Sequence, residues 1–161
     1  MLWRLRRSEF ERGKGEMNRR ALRAIVNSGA EPGVLAYAAG APIAWCSVAP
    51  REAIPALERS RILARVDDRP VWSITCLFVA RSFRRLGISA PLIRAAVRHA
   101  AAHGAKVVEA YPVEPSSAAM PATFAWTGIV SAYLKAGFIE IARRSRTRPI
   151  VRIEIAPGSE I

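Results

Sequence analysis

The residues best placed for chemistry are Arg84-Arg85-Leu86-Gly87-Ile88-Ser89, a basic turn between an apolar run and an amphipathic one. A basic loop with a small residue at the mouth of a helix exposes several backbone N–H groups. The positive end of the helix dipole lies behind them, so together they form an anion site suited to phosphate. Gly87 lets a phosphate approach the backbone closely, or permits a positive φ. The plainer reading of Gly87 is a turn glycine. Arg84 and Arg85 add cations, although in a chain this rich in Arg they also read as a solvated surface pair. The turn is not a Walker A loop, which needs Gly-Lys-Ser/Thr, and it is not GxGxxG. Nucleotide chemistry of the kinase or Rossmann kind has no support.

The elements around this turn follow from local pattern. Val71–Val79 (VWSITCLFV) is β-branched and aromatic and predicts a strand. From Gly87 to His103 the spacing predicts a helix, with Leu92, Ile93, Ala96, Val97 and Ala100 on one face. Pro91 suits its first turn and Gly104 its stop. Glu16–Asn27 has helical spacing as well. Val34–Ala38 and Pro42–Val48 predict a hairpin turning at Ala39-Gly40. Met1–Leu5 reads as a short strand, Glu9–Gly15 as a connection, and Pro50–Arg65 as a short helix. Lys106–Tyr111 predicts a strand, Pro112–Pro121 an irregular segment, and Thr127–Ala136 a helix closed by Gly137. Phe138–Arg143 and Ile150–Ile155 predict two last strands, with Ala156–Ile161 a frayed tail. Strands and helices are mixed along the chain, which predicts a mixed α/β sheet with helices packed on it.

The 161 residues suit one domain, read as 1–161, and the 51% hydrophobic content excludes a mainly disordered chain. No apolar run approaches the roughly 18 residues of a membrane span, and no signal-peptide core follows the basic start. A cytoplasmic protein with no membrane partner is the expectation. Lys+Arg 25 against Asp+Glu 13 gives +12. That excess implies an anionic partner, a nucleotide-like cofactor or a nucleic acid or an acidic protein, or else compositional drift. Cys46 and Cys76 lie in apolar runs without a CxxC or Cys/His cluster, so buried free thiols are expected and no structural metal.

With strand, loop and helix in place, the sequence resembles the GNAT superfamily of acyl-CoA-dependent N-acyltransferases. The family's signature is a strand, then Arg/Gln-x-x-Gly-x-Gly/Ala, then a helix. Here Arg84-x-x-Gly87-x-Ser89 occupies the pattern, with Ser89 replacing the last small residue but keeping its N–H. Tyr133-Leu134-Lys135-Ala136-Gly137-Phe138 is similar to the family's last helix-to-strand junction. An Asn that many relatives carry about two helical turns earlier is not evident; Trp126 stands there. The resemblance covers residues 16–155. It implies a GNAT-like fold, with a central mixed, mostly antiparallel twisted sheet flanked by helices, and acetyl-CoA as cosubstrate with no metal.

The resemblance also implies roles. The backbone of Leu77, Phe78 and Val79 pairs with the pantetheine and orients the thioester. Arg84, Arg85, Leu86, Gly87, Ile88 and Ser89 hold the pyrophosphate. Tyr133 is the general acid for the departing thiolate; its plainer reading is a core tyrosine. The general base is open. Glu109, on the strand after the helix, and Glu114, in the loop beyond, either face the cleft or are solvated. His99 and His103 sit near the far end of their helix, and Cys76 reads as a core thiol. Trp3, Trp45, Trp72, Trp126, Tyr111 and Phe124 are available to line an acceptor pocket, or else pack in the core. The loop Pro112–Trp126 is placed to touch the acceptor.

The expected activity is transfer of acetyl from acetyl-CoA to a primary amine, carried by a small molecule or a peptide. The positive charge disfavours a polyamine. The alternatives are an acyl-CoA-binding module without acceptor chemistry, and a basic nucleic-acid binder. The last has no helix-turn-helix, zinc-finger or RNP-type motif behind it. Members of the family are often homodimers.

Overall fold

The computed structural model describes residues 1–115 and 125–156. The elements run α1 (Arg7–Arg12), α2 (Glu16–Asn27), β1 (Gly33–Ala38), β2 (Ala41–Pro50), α3 (Pro55–Glu58), β3 (Trp72–Val79), α4 (Ser89–Ala102), β4 (Val107–Ala110), α5 (Val130–Lys135), β5 (Ile139–Arg143) and β6 (Pro149–Glu154). Short 3-10 turns at Arg51–Ala53 and Arg81–Phe83 follow β2 and β3. The sheet has six strands in the order β1-β2-β3-β4-β6-β5. Only β3 and β4 pair in parallel; the other neighbours are antiparallel.

Most elements follow from the patterns already described. The β1–β2 hairpin turns at Ala39 (φ 47°) and Gly40 (φ 77°), and two positive φ values are what a tight hairpin of this twist requires. In α4 the buried residues are Leu92, Ile93, Ala96, Val97 and Ala100, the face expected from the spacing. They pack on Cys46, Val48, Ile74, Val108 and Val151 from the sheet. Strand residues alternate between faces, so their sequence neighbours Ala49, Tyr111 and Ile150 point to the other side. There they join Ile54, Leu57 and Leu63 in a second cluster.

Three local expectations fail. Residues 1–5 form a turn, with Arg4 N–H donating to Met1 O at 2.8 Å, and not a strand. The segment Glu9–Gly15, expected as a connection, holds the last four residues of α1, whose N-cap amide, Arg6 N–H, donates to the Glu9 carboxylate at 2.8 Å. The helix expected over Pro50–Arg65 shrinks to Pro55–Glu58. Buried Arg51 explains why. Its Nη2 donates to Leu63 O at 2.8 Å and to Leu57 O at 3.4 Å, so those carbonyls are satisfied without a continuing helix. The tail expected beyond Ala156 lies outside the described residues.

Arg51 is 1% exposed, and it anchors a polar network on the face opposite α4. Its Nη1 donates to Tyr111 Oη at 2.7 Å and its Nε to Glu58 at 2.8 Å. Tyr111 in turn donates to Glu109 at 3.1 Å and lies 3.0 Å from Ser73 Oγ. Glu109 accepts from Arg152 Nη2 at 2.6 Å and Nε at 3.1 Å. Arg152 also forks onto Asp67, at 2.7 and 3.1 Å. The Arg152 hydrogen bonds hold the Asp67 carboxyl below its ordinary range. Strands β3, β4 and β6 are thus tied at one level by Ser73, Glu109 and Arg152, which are register partners across the sheet.

Removing one member of such a network strands the others in a dry interior. Arg51→Met is expected to cost about 3–5 kcal/mol of unfolding free energy. Arg51→Lys, which keeps charge but not the planar fork, should recover only part of it. Urea unfolding measures both; a neutral Arg51→Met would show that the network does not hold the sheet.

Candidate functional site

Strands β3 and β4 are paired only from Trp72/Val108 to Ile74/Ala110, after which they part. Thr75 is skipped in the register with β2, where Ser47 faces Cys76 and Val48 faces Ile74. A bulge there bends β3 where the parting begins. On the other side, Pro112 has no N–H to offer a ladder. The chain beyond it pairs instead with the entry to α5: Val113 N–H donates to Gly128 O at 2.9 Å, and Val130 N–H to Val113 O at 3.1 Å. The edge of β3 from Leu77 to Val79 is left facing a groove.

The groove consists of two adjoining cavities. One, of about 430 Å³, is lined by Cys76, Leu77, Phe78 and Val79 from β3 and by Trp126, Gly128 and Ile129 opposite. The other, of about 380 Å³, lies at the mouth of α4 and is lined by Arg84, Arg85, Gly87, Ile88, Ser89 and Ala90. Val79, Arg84, Ser89 and Ile129 line both, so the two share a wall. The groove therefore runs from the β3 edge to the start of α4.

The mouth of α4 has the features of an anion site. The helix has no side-chain N-cap, and its first internal bond is Leu92 N–H to Ile88 O at 3.1 Å. Pro91 has no N–H, so the amides of Ser89 and Ala90 are the helix's own free donors. Ahead of them, Arg85 (φ 65°) and Gly87 (φ 77°) take left-handed conformations, which turn successive amides into a concave nest. Arg85 is not glycine, so this conformation is strained, and such strain gathers at functional loops. A Cβ on Gly87 would meet nothing within 4 Å. The positive φ, not crowding, is what calls for glycine there.

The expected site residues separate into two groups. Leu77, Phe78, Val79, Arg84, Arg85, Gly87, Ile88 and Ser89 all line the groove. Leu86 is exposed beside it. The Arg84 Nε donates to Val79 O at 2.9 Å, so part of that guanidinium closes the strand end. Lys135 and Ser131, both exposed, also line the α4 cavity. Both lie on the groove side of α5, and a cation one residue before Ala136-Gly137 was the available signal.

Glu109 lies elsewhere. It is buried among Arg152, Tyr111 and Arg51, below the level where the strands part. Glu114 pairs with Arg143, which also holds Glu140. Among the described residues, neither cavity of the groove is lined by a carboxylate or an imidazole. Cys46 is buried, but Cys76, expected in the core, is half-buried and lines the groove. Burial pushes both thiols up, which keeps them protonated and unreactive. Trp3 and Trp126 stack at 5.5 Å, and Trp126 O accepts the Leu77 N–H at 2.8 Å. Trp126 also lines a third cavity, of about 270 Å³, with Leu2, Trp3, Leu5, Arg7 and Arg59. Tyr111 belongs to the Arg51 network, Trp72 packs on α4, and Trp45 meets β1 at Gly33. Phe124 and most of the loop expected to touch the acceptor lie outside the described residues.

Tyr133 is fully buried, edge-on to Phe138 at 5.4 Å, and its hydroxyl donates to Thr127 O at 2.9 Å. Burial raises its phenol well above the ordinary value, so it stays a proton donor. Between it and the groove stands Gly128, at φ 81°. A Cβ there would lie 2.7 Å from Tyr133 Cε2, 3.1 Å from Leu77 Cδ2 and 3.3 Å from the hydroxyl. Gly128 and the Leu77 side chain thus lie between the phenol and the groove.

The model of the Acetyltransferase (GNAT) family matches residues 1–125. The chain belongs to this family, and the stretch matched includes β3, the basic turn and α4. No curated protein sequence matches the chain. Among solved structures, the ribosomal-protein-alanine N-acetyltransferase of Brucella melitensis is 17% identical with a TM-score of 0.55, covering 87% of this chain and 78% of that one. The NatC complex bound to Gag peptide and CoA is 15% identical at TM-score 0.55, covering 85% and 79%. Aminoglycoside acetyltransferase AAC(6')-Ib in complex with coenzyme A is 18% identical at TM-score 0.52, covering 74% and 64%. At these identities the likeness is one of fold, and the fold is the GNAT-like mixed sheet flanked by helices.

Gly128→Ala should destabilise the protein, because the new methyl group is overpacked against Tyr133 and Leu77 at a left-handed φ. A loss of about 1–3 kcal/mol is expected from overpacking. Thermal unfolding measures it, and a variant as stable as the parent would show that the contact relaxes freely.

Proposed function

We propose that the protein transfers an acetyl group from acetyl-CoA to a primary amine by direct attack. The carrying observation is that one groove contains both a strand edge parted from its sheet neighbour and an uncapped helix mouth with a glycine nest. A phosphate-bearing thioester with an amide-rich arm suits both ends: pyrophosphate on the amides of residues 86–90, pantetheine along Leu77–Val79. In the chemistry, the amine nitrogen forms a bond to the thioester carbon and the carbonyl oxygen becomes an oxyanion. The C–S bond then breaks and the thiolate takes a proton. Tyr133 is our choice for that proton donor, reaching past Gly128 after leaving Thr127 O. Leu77 N–H is spent on Trp126 O, so the next amide on that side of β3, Val79 N–H, is our choice for the oxyanion. The amine releases its proton to water.

Among the described residues the groove has no carboxylate or imidazole, and this bears on the acceptor. A groove near Arg84, Arg85 and Lys135 favours neutral over protonated amines. An α-amine, with an ordinary pKa of about 7.7–8.0, needs little help to become nucleophilic, whereas a lysine amine at about 10.4 needs far more. An α-amine, on a peptide or a small molecule, is therefore the favoured class. The same lack supports a second reading, an acyl-CoA-binding module without acceptor chemistry.

Calorimetric titration with acetyl-CoA and coenzyme A at two salt concentrations is the deciding experiment. Stoichiometric binding is expected, abolished in Gly87→Glu by its carboxylate at the phosphate position. Gly87→Ala, which shares the φ strain without the charge, should bind more weakly than the parent but measurably. Unimpaired binding by Gly87→Glu would overturn the loop assignment. Binding without thiol release across an amine panel would favour the module. Steeply salt-dependent nucleic-acid binding without coenzyme A affinity would favour the nucleic-acid reading.

Tyr133→Phe should lower turnover by about 10²-fold, the low end of general-acid effects, with little change in acetyl-CoA affinity. Unchanged turnover would remove Tyr133 from the mechanism.

A further inference from the structure

At the far end of α4 from the groove, three side chains converge. His99 and His103 are one helical turn apart, with ring centroids 4.4 Å apart. Glu31, just before β1, points a carboxylate oxygen between them: its Oε2 is 3.5 Å from His99 Nδ1 and 3.6 Å from His103 Nε2. The three ligand atoms lie within 4.8 Å of one another.

The hydrogen bonds decide which ring atoms are free. His103 Nδ1 is 2.8 Å from the His99 carbonyl oxygen. A carbonyl cannot donate, so Nδ1 carries the proton, and the neutral ring keeps a lone pair on Nε2. That lone pair faces the Glu31 carboxylate. In His99, Nε2 is buried without a hydrogen-bond partner among the described residues, so the ring's one polar outlet is Nδ1, again toward Glu31. Two imidazole nitrogens and a carboxylate oxygen thus meet at one point, and each can give an electron pair to a cation, His99 Nδ1 once the ring's proton sits on Nε2. A cation relieves that meeting. The helix dipole favours it too, because His103 is the C-cap of α4, the negative end.

We propose that Glu31, His99 and His103 bind a divalent transition-metal ion of the imidazole-preferring class, Zn²⁺ above all. With Zn–N bonds of about 2.0–2.1 Å, tetrahedral ligand atoms sit about 3.3 Å apart. The two contacts through Glu31 are already near that spacing. Glu31 is exposed and free to adjust. The Nδ1–H to carbonyl bond of His103 is the outer-shell support that fixes a metal-bound imidazole. The ion would tie the start of β1 to the end of α4. At 1.5 Å per residue, the 14 residues of α4 put it about 20 Å from the anion site. It is a staple of the fold, apart from the chemistry, with a fourth position open to solvent.

Trp72 supplies a reporter, its ring centroid 5.6 Å from that of His103 and 6.1 Å from that of His99. The test uses the untagged, metal-stripped chain at pH 7.5. Calorimetry with zinc sulfate should give a 1:1 isotherm saturating below about 1 mM, and the melting temperature should rise with zinc concentration. Nickel chloride should quench tryptophan emission in the parent and much less in Trp72→Phe. His103→Gln and Glu31→Gln change exposed side chains and should fold as the parent does, yet each should weaken zinc binding about tenfold or more. No saturable binding up to about 1 mM overturns the site, as does binding unaffected by either variant.

Discussion

The groove exists because β3 and β4 are held together at one level and not at the next. The buried network of Arg51, Glu109, Tyr111, Ser73 and Arg152 does the holding. A charged pair in a dry interior is tolerated only when its donors and acceptors are nearly all met, and here they are. Arg51 reaches Tyr111, Glu58 and two carbonyls; Glu109 reaches Arg152 and Tyr111. The same contacts that satisfy the charges fix the register of three strands. Above that level the bulge at Thr75 and the proline at 112 withdraw each strand from the other. Leu77 N–H then bonds to Trp126 O instead of to β4.

That arrangement separates stability from function along one strand. The first half of β3 is sheet interior, with Ser73 and Ile74 fully buried. Its second half leaves Phe78 exposed and its edge on the groove. The turn and α4 follow directly, so the strand edge and the helix mouth are fixed relative to each other by a few residues of chain. A ligand spanning both meets a geometry set before it arrives, which limits the ordering cost of binding.

What was legible in the sequence was whatever depends on near neighbours. The strand–turn–helix at 71–103 carries its own periodicity, stop signals and glycine, and all three appear where expected. Lost were the features set by distant partners. Glu109 reads as a cleft carboxylate if its strand is known but its face is not. All of β4 is buried, so the alternation that would reveal the face is missing. Arg51 looks like one surface arginine among many, since Tyr111 lies 60 residues away. Helix α1 has no apolar stripe and rests on polar contacts such as Glu9 to Arg6 and Arg7 to Glu11. The histidines of α4 read from the sequence as remote from the chemistry, at the far end of their helix. Nothing local announces that Glu31 comes to meet them.

The division between backbone and side chain also explains how so little identity accompanies so much fold. The anion site is made of amides at residues 86–90, a positive φ at Gly87 and a helix axis. Few side chains are specified by such a loop, and solved structures only 15–18% identical to the chain share its fold. The acceptor end has no such economy. Trp126 stands at the junction of the groove with the cavity of Leu2, Trp3 and Arg59, where the walls are side chains and not backbone amides, so selectivity there has to come from side-chain identity.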